Sequence, residues 1–266
     1  MVSKRRDILV GTSGWSYRSW RGPFFPRELP VRLHLEHYAE HFRTTELNGV
    51  FYRTPTVEAV KAWAERTPDD FVFAWKASKF ITHWKRLNDT SRNSIALMES
   101  RLHLLGEKVG PVLFQLPPQF EKNRERLAAF FKLLRAQRSY AFEFRHPSWY
   151  EDDILDLLRD HDAALCVSDH HDAPSPWLAT ARHVYVRGHG PQGRYRGRYP
   201  RSTLEKWSRW LQRMSRAGHN ATVYFDNDQK SAAPKDALAL AELLSSCPRR
   251  IEKRMGQPAP LAVVSE

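Results

Sequence analysis

Acidic and basic side chains recur along this chain at the points where short apolar runs end. Phe142-Glu143-Phe144-Arg145-His146 is the clearest example. Two carboxylates brought together in a folded protein act as general acid and general base when their surroundings separate their pKa values. Arginine or lysine at neighbouring ends would hold an anionic substrate, because these cations donate to a carboxylate or phosphate. The predicted catalytic residues are Glu46, Glu143 and Asp169.

A second set of polar residues, at or near the same ends, is predicted to bind the substrate. Side chains alternate across a strand, so Glu143 and Arg145 share one face of their run. Arg187 and His189 share one face of another run for the same reason. We expect these faces to point into the interior of a barrel. The set consists of Asn48, Tyr52, Lys76, Gln115, Arg145, His146, Arg187, His189, Tyr195, Asp226 and Asn227.

Two of the apolar runs are harder to orient from their sequence. Alternation groups Asp169 with Val167 and Leu165, and we expect this face to point inward because it ends in a carboxylate. In the last run, Asp226 and Asn227 lie on opposite faces, and the sequence leaves open which of them enters the interior.

The charged members of these sets nearly cancel one another. Burying six charges costs several kcal/mol per ion before pairing is counted, and apolar side chains can fill a barrel interior instead. The set therefore favours a binding site, with a structural plug of ion pairs as the alternative. Its members are Glu46, Glu143 and Asp169 against Lys76, Arg145 and Arg187.

No cofactor is predicted, although histidines are frequent near the same ends. His83, His146, His170, His171 and His189 would supply ligands for zinc or manganese. Three cations in the same mouth would repel a divalent ion, and no histidine spacing beyond the adjacent pair at 170–171 matches a ligand motif. A bound divalent metal stays open as an alternative.

Eight apolar runs alternate with helical patterns, which predicts a parallel sheet in an α/β fold. The predicted strands cover 8–15, 44–52, 71–78, 111–116, 140–146, 164–169, 183–189 and 222–228, and only the segment after the sixth lacks a convincing helix. This pattern predicts a single (β/α)8 TIM-type barrel over residues 1–248, with a doubly wound open sheet as the alternative. Strand ends then converge on one mouth, beneath aromatic-rich loops. Residues 249–266 are expected to form a basic, disordered tail.

Composition excludes several classes of protein. The chain of 266 residues has only two cysteines, Cys166 and Cys247, so neither a disulfide framework nor a zinc knuckle is expected. No apolar run approaches the length of a membrane span, and the first residues lack the apolar core of a signal peptide. We expect a cytoplasmic protein without a membrane partner, and the sequence leaves its oligomeric state open.

Basic charge makes nucleic acid a second candidate partner. The formal net charge is +12, which attracts polyanions in general. Residues 188–199 interleave arginine and tyrosine on a glycine-rich backbone. Such a loop, after the seventh strand, would cradle a phosphate or follow a nucleic-acid backbone while its rings stack on bases.

Ordered motifs across residues 8–245 resemble the family called domain of unknown function 72, the YecE-like proteins. The motifs include Gly11-Thr12-Ser13-Gly14-Trp15, Glu46-Leu47-Asn48, Lys76 with Ile81-Thr82-His83, Phe114-Gln115-Leu116-Pro117-Pro118, Glu143-Phe144-Arg145-His146-Pro147 and Tyr185-Val186-Arg187-Gly188-His189. The resemblance implies a TIM-type barrel whose mouth these motifs line, and it implies no particular reaction. The family usually has Phe-Asn-Asn where this chain has Phe225-Asp226-Asn227. The extra carboxylate argues against an anion contact at position 226 and raises the chance of a bound cation.

The leading hypothesis is an enzyme, such as a hydrolase or isomerase, acting on a small anionic substrate. The substrate would be phosphorylated or carboxylated, with a sugar derivative as one option, and the chemistry would be metal-independent acid/base catalysis. Glu46 and Glu143 would carry protons, while Lys76, Arg145 and Arg187 would hold the anion. Two alternatives remain: a nucleic-acid-binding or processing barrel similar to endonuclease IV, metal-dependent or not, and a non-catalytic ligand-binding protein.

Overall fold

Eight parallel strands form one sheet in the computed structural model, which describes residues 8–245. The strands are β1 (Ile8–Thr12), β2 (Thr44–Leu47), β3 (Val72–Lys76), β4 (Val109–Gln115), β5 (Tyr140–Glu143), β6 (Ala163–Ser168), β7 (His183–Gly188) and β8 (Asn220–Phe225). Their order in the sheet is β1-β8-β7-β6-β5-β4-β3-β2, so neighbours in the chain are neighbours in space. This confirms the predicted barrel, and the tail at 249–266 lies outside the described residues.

Seven α-helices of the described chain surround the strands. They are α1 (His34–His41), α2 (Val57–Glu65), α3 (Arg92–Leu102), α4 (Arg124–Phe131), α5 (Asp152–Asp160), α6 (Arg201–Ala217) and α7 (Ala232–Ser245). Between β6 and β7 the described chain has no helix, as the sequence pattern indicated. The hydroxyl of Thr56 begins α2 by accepting a hydrogen bond from the Ala59 N–H at 3.2 Å. No helix in the described part of the chain is long and apolar enough to cross a membrane.

The barrel closes between β1 and β2, which lie at the two ends of the strand order. A single backbone bridge joins Ser13 to Glu46 there. Gly11 makes the close approach of the two strands feasible, because a Cβ atom at this position would lie 2.1 Å from the carbonyl oxygen of Thr44. Closure therefore places the first residues after β1 directly beside Glu46.

A tyrosine hydroxyl replaces a missing ladder hydrogen bond at this seam. The Thr12 N–H donates to the hydroxyl of Tyr38 at 2.9 Å, and that hydroxyl donates to the carbonyl of Thr44 at 3.0 Å. Tyr38→Phe leaves both buried backbone groups unpaired, so we expect the free energy of unfolding to fall by about 1–3 kcal/mol. Urea denaturation measures this loss, and Tyr52→Phe is the matched control because Tyr52 is 67% exposed. Equal stability of the two variants would contradict this account of the seam.

Two apolar layers lie on either side of the sheet. The outer layer packs large side chains such as Phe73, Phe114 and Phe142 against the helices. The interior holds a smaller cluster, dominated by alanine and closed by two tyrosines. The interior residues on the strands are Ala74, Leu113, Ala141, Ala164, Cys166, Tyr185 and Tyr224. These side chains fill the part of the barrel interior nearer the amino ends of the strands. The polar side chains of the mouth, called the polar layer below, lie at the carboxyl ends of the strands.

The interior face of β6 differs from the sequence prediction. Ala164 and Cys166 face the interior, whereas Leu165 and Val167 pack in the outer layer. The prediction used Asp169 to decide which face of the strand points inward. Asp169 lies beyond the end of the strand, so its direction does not follow from the alternation of side chains along β6. Ser168 therefore takes the interior position at the mouth.

Candidate functional site

Arg187 is the centre of the polar layer. Its side chain is fully buried on β7, and one terminal nitrogen donates to Glu143 at 2.7 Å. The other terminal nitrogen donates to Glu46 at 2.9 Å and to Asp226 at 2.8 Å. Burial opposes the charge, but the three carboxylates raise the pKa of Arg187 well above its ordinary value. Through these three carboxylates, the guanidinium of Arg187 links the carboxyl ends of β2, β5 and β8.

Glu143 is held as a carboxylate by its surroundings. Its carboxylate forms an ion pair with Arg145 at 2.7 Å and accepts hydrogen bonds from His189 at 2.9 Å and from the hydroxyl of Ser168 at 3.2 Å. Burial alone would raise the pKa of Glu143, but Arg145, Arg187 and His189 together hold that pKa well below its ordinary value. Glu143 is ionised at neutral pH and has no exposed surface.

Glu46 and Asp226 complete the carboxylates around the central arginine. Glu46 is fully buried and accepts hydrogen bonds from Tyr185 at 2.7 Å and from the hydroxyl of Ser13. Burial would raise the pKa of Asp226, but Arg187, His189 and Lys76 together outweigh it and lower the pKa to about 2. Asp226 therefore enters the interior, which resolves the ambiguity of the last strand.

Lys76 differs from the two arginines because no carboxylate of the described chain pairs with it directly. Its ammonium donates to the side-chain oxygen of Asn48 at 3.1 Å and lies 4.3 Å from the ring centroid of Phe51. The residue is only 5% exposed. Burial, and then the charge of Arg187, lowers the pKa of Lys76 to about 8. A buried cation at the mouth is thus left without a direct counter-charge.

Arg145 has one buried donor without a hydrogen-bond partner among the described residues. It donates to the hydroxyl of Tyr195 at 3.0 Å and forms an ion pair with Glu143, while its Nε atom is buried and has no partner within the described residues. Tyr195 adopts φ +63°, a left-handed conformation that directs its ring back toward the mouth. The loop after β7 therefore orients Arg145.

His83 joins the site, although the predicted catalytic and binding residues did not include it; the sequence placed it among the alternative metal ligands and in one of the motifs of the family resemblance. It lies in a π-helical turn, Phe80–Trp84, after β3, and its ring contacts Phe51 edge to face at 5.1 Å between centroids. Burial, then the charges of Lys76 and Arg145, lowers the pKa of His83 to about 4. The imidazole is neutral at pH 7. Its position directly after the strand that carries Lys76 was the available sequence signal.

Asp169 anchors the loop after β7 rather than the centre of the layer. Its carboxylate accepts hydrogen bonds from the His189 N–H at 2.7 Å and from the hydroxyl of Tyr199, and burial raises the pKa of Asp169. Gly193 packs against the same segment with φ +63°, where a Cβ atom would lie 2.3 Å from the Asp169 carbonyl oxygen. Asp169 thus holds in place the loop that positions Tyr195 beside Arg145.

Four of the predicted binding residues lie outside the central cluster. Asn227 faces away from the interior and donates to Asp236 at 2.8 Å. His146 caps the turn Pro147–Tyr150 by accepting a hydrogen bond from a backbone N–H at 3.3 Å. Tyr52 is exposed at the rim, and Gln115 is partly buried at the end of β4. The remaining members of the predicted set converge on the mouth.

One group of described residues has the spacing for a metal ion. Ligand atoms of His170, His171 and Asp172 lie within 4.8 Å of one another. One ring nitrogen of His171 is 3.1 Å from the carbonyl of Gly193, and the other is 3.0 Å from the Asp172 carboxylate. Burial, then the charge of Arg145, lowers the pKa of His170 to about 3, so this imidazole is neutral. These three residues are the candidates for a divalent ion, and the nearby guanidinium opposes one.

Eight parallel strands around a polar mouth make this protein a nearly closed (β/α)8 barrel of the TIM type. A family model described as "Protein of unknown function DUF72" matches residues 9–261, and the chain belongs to this family.

Similar proteins extend over most of the chain. The UPF0759 protein YunF of Bacillus subtilis (strain 168) is 26% identical over 89% of this chain and 94% of its own length. The UPF0759 protein YecE of Escherichia coli (strain K12) is 31% identical over 54% of this chain and half of its own length. The crystal structure of a DUF72 family protein from Thermotoga maritima has a TM-score of 0.80 at 27% identity, covering 90% of this chain and 99% of that chain. These relatives support the barrel and carry no named activity.

Proposed function

We propose that this protein is an enzyme that binds the anionic group of a small phosphorylated or carboxylated substrate at Lys76 and transfers protons beside it. The observation that carries the proposal is the buried ammonium of Lys76, which has an amide oxygen and an aromatic ring as neighbours but no direct carboxylate partner in the described chain. A buried charge without a counter-charge destabilises the fold. An anionic substrate supplies the missing charge.

Arg145 is the second donor for that anion. Its Nε atom has no partner among the described residues, although it is buried. The Nε atom of Arg187 is also buried without a partner among the described residues. Arg187 nevertheless has a different role, because its terminal nitrogens contact three carboxylates, those of Glu46, Glu143 and Asp226. We therefore assign Arg187 to positioning the mouth.

His83 is better placed than the carboxylates to transfer a proton. Glu46 and Glu143 have fully buried side chains, whereas His83 is partly exposed. Burial is the main cause of its low pKa of about 4, and the positive charges of Lys76 and Arg145 lower that pKa further. An anion bound between these cations offsets their charge and raises the pKa of His83 toward neutrality. Proton transfer is most effective when that pKa approaches the working pH. Binding of the anionic substrate therefore makes His83 a more effective general base. No step of this scheme uses a resident metal.

Binding of inorganic phosphate should raise the pKa of His83 from about 4 to above about 5, because it offsets two nearby cations. Proton NMR of the histidine rings between pH 3 and 8, with and without phosphate, measures the change. His103 is the internal control, since it is exposed and precedes β4 at the opposite end of the barrel. An identical His83 titration with saturating phosphate contradicts the proposal.

Nucleic-acid binding is a second candidate, favoured by the outward-facing arginines of the loop after β7. Arg194, Arg196 and Arg198 are exposed, whereas the hydroxyls of Tyr195 and Tyr199 are turned inward, where Tyr195 accepts a hydrogen bond from Arg145 and Tyr199 donates one to Asp169. Arg194 and Arg196 are free to contact phosphates, whereas Arg198 pairs with Asp236 at 3.3 Å. The two tyrosine rings are not free to stack on bases.

This second candidate predicts binding that weakens steeply with salt, through release of counterions. Changing both Arg194 and Arg196 to alanine should weaken the binding of a labelled single-stranded oligonucleotide and reduce its salt dependence, while Lys76→Met should not. Fluorescence anisotropy from 25 to 300 mM salt measures both quantities, the range being about that over which phosphate contacts are lost. An absence of binding at the lowest salt removes nucleic acid as a partner.

A further inference from the structure

A cavity opens beside the mouth, between the loops that follow β1 and β2 and the first turns of α2. Its volume is about 650 Å³, within the range of small-molecule sites in proteins. Most of the wall is apolar, with Trp15, Val50, Pro55 and Trp63 among its residues. Neither the anion-binding groups nor the proton carrier of the proposed function use this space.

The cavity and the anion-binding position share a side chain. Asn48 lines the cavity, and its side-chain oxygen accepts the hydrogen bond from the Lys76 ammonium at 3.1 Å. Tyr17 lines the same end and donates to the carbonyl of Ser13, beside the central carboxylates. One side chain therefore separates the apolar space from the unpaired ammonium. A ligand with its anion at Lys76 would extend into the cavity through a linker of only a few atoms.

Aromatic rings give the cavity a preference for a flat group. Trp15 and Trp63 meet edge to face, with ring centroids 5.6 Å apart, which fixes the two indoles relative to each other. Tyr52 lines the opening and is 67% exposed, with the ammonium of Lys79 lying 5.6 Å from its ring centroid. A planar ligand would cover rings that otherwise face water.

Charge at the cavity favours an anion over a cation. Among the described residues that line it, none is acidic, and Arg53 is basic. Aromatic cavities that bind ammonium ligands use the faces of several rings to attract the positive charge, but here Lys76 and Arg53 would repel it. An aromatic ring that carries a negative group agrees with both the apolar wall and the basic end.

We propose that this cavity binds the planar, apolar part of the substrate, which makes the substrate an aryl phosphate or aryl carboxylate with a short linker. This inference rests on the proposed function for its anionic end. The ring leaves water for the cavity while the anion contacts Lys76, so the two parts of the ligand contribute to affinity together.

Binding of 1-naphthyl phosphate, 1-naphthol and inorganic phosphate to the full chain, followed by calorimetry, tests the inference. We expect 1-naphthyl phosphate to bind at least about tenfold more tightly than inorganic phosphate, because only the aryl ester buries a ring. Ala59→Phe fills the cavity from α2, since Ala59 lines it, and should remove this gain while leaving the affinity for inorganic phosphate unchanged. Glu65→Phe is the matched control, because Glu65 is exposed on the same helix and does not line the cavity.

Trp63→Leu is a second variant, in case Ala59→Phe does not fold, and it should reduce the aryl preference by removing an indole wall. Equal affinity of the wild type for the aryl ester and inorganic phosphate overturns the inference but leaves the proposed function standing. Aryl binding unaffected by either variant also overturns it. If inorganic phosphate itself does not bind to the wild type, the proposed function fails, and the aryl inference fails with it.

Discussion

Arg187→Met is expected to lower the free energy of unfolding at pH 7 by about 3–5 kcal/mol, the range measured when one partner of a buried ion pair is removed. The variant leaves Glu46, Glu143 and Asp226 without the guanidinium that contacts all three. Methionine preserves much of the side-chain volume, so the loss comes from charge rather than from a cavity. Urea denaturation followed by circular dichroism measures the difference.

The pH dependence of this loss identifies its cause. In the wild type, the pKa values of Glu143 and Asp226 are lowered, to about 2 for Asp226, so their contribution is present at neutral pH and is lost as the pH falls through the folded values. Without Arg187, the pKa values of these carboxylates rise relative to the wild type, because burial is opposed by fewer positive charges, and protonation at lower pH relieves part of the unpaired charge. The difference between variant and wild type should therefore be larger at pH 8 than at pH 5.

Arg182→Met is the control for this prediction. Arg182 pairs with Asp162 at 2.7 Å, but its side chain is 89% exposed, so its loss should leave stability nearly unchanged. Equal effects of the Arg182 and Arg187 variants, or an Arg187 effect independent of pH, would show that the cluster does not act as a buried charge network.

Lys76→Met should reduce sulfate affinity by at least about tenfold while leaving the fold as stable as the wild type or more stable. The affinity falls because the variant loses the ammonium that lacks a direct carboxylate partner. Stability does not fall, because burial lowers the pKa of Lys76 to about 8, which means that the ammonium form is disfavoured in the folded state. When removal of a buried cation stabilises the fold, the cation is retained for its function, at a cost in stability.

Sulfate binding to the wild type should also decline as the pH rises above about 8, where Lys76 loses its proton. Bound sulfate favours the ammonium form, so the midpoint lies at a higher pH in the complex than in the free protein. Sulfate keeps its charge between pH 6 and 10, so the decline reports on the protein. Lys79→Met is the matched control: it removes a nearby cation but should retain this midpoint. A decline that begins only near pH 10.5, the ordinary value, would contradict the account of Lys76.

The sequence predicted the elements of the fold well because each has a local signal. Periodicity located all eight strands and seven helices, and it indicated that no helix follows β6. Alternation also oriented β3, β5 and β7 correctly, since Lys76, Glu143 and Arg187 each occupy the interior position at the end of a strand. It failed for β6, where the polar residue used as the guide, Asp169, lies past the end of the strand.

The contacts within the site could not be read from the sequence. Arg187 meets Glu46 from 141 positions earlier in the chain, and no local pattern states which carboxylate a given arginine will bind. The sequence therefore counted Arg187 among the anion-binding cations, although its terminal nitrogens are engaged by carboxylates of the chain itself. The importance of His83 likewise depends on burial and on nearby charge, which only the folded chain defines. The cavity arises between loops that are separate in the sequence.

The position of a bound anion tests the central claim most directly. Crystals grown with sodium tungstate, measured at the tungsten absorption edge, would show the anion by its anomalous signal. We predict a peak within hydrogen-bonding distance of the Lys76 ammonium and the Nε atom of Arg145, absent from crystals of Lys76→Met grown under the same conditions. Anomalous peaks confined to the exposed Arg194, Arg196 and Arg198, with none at Lys76, would contradict the account.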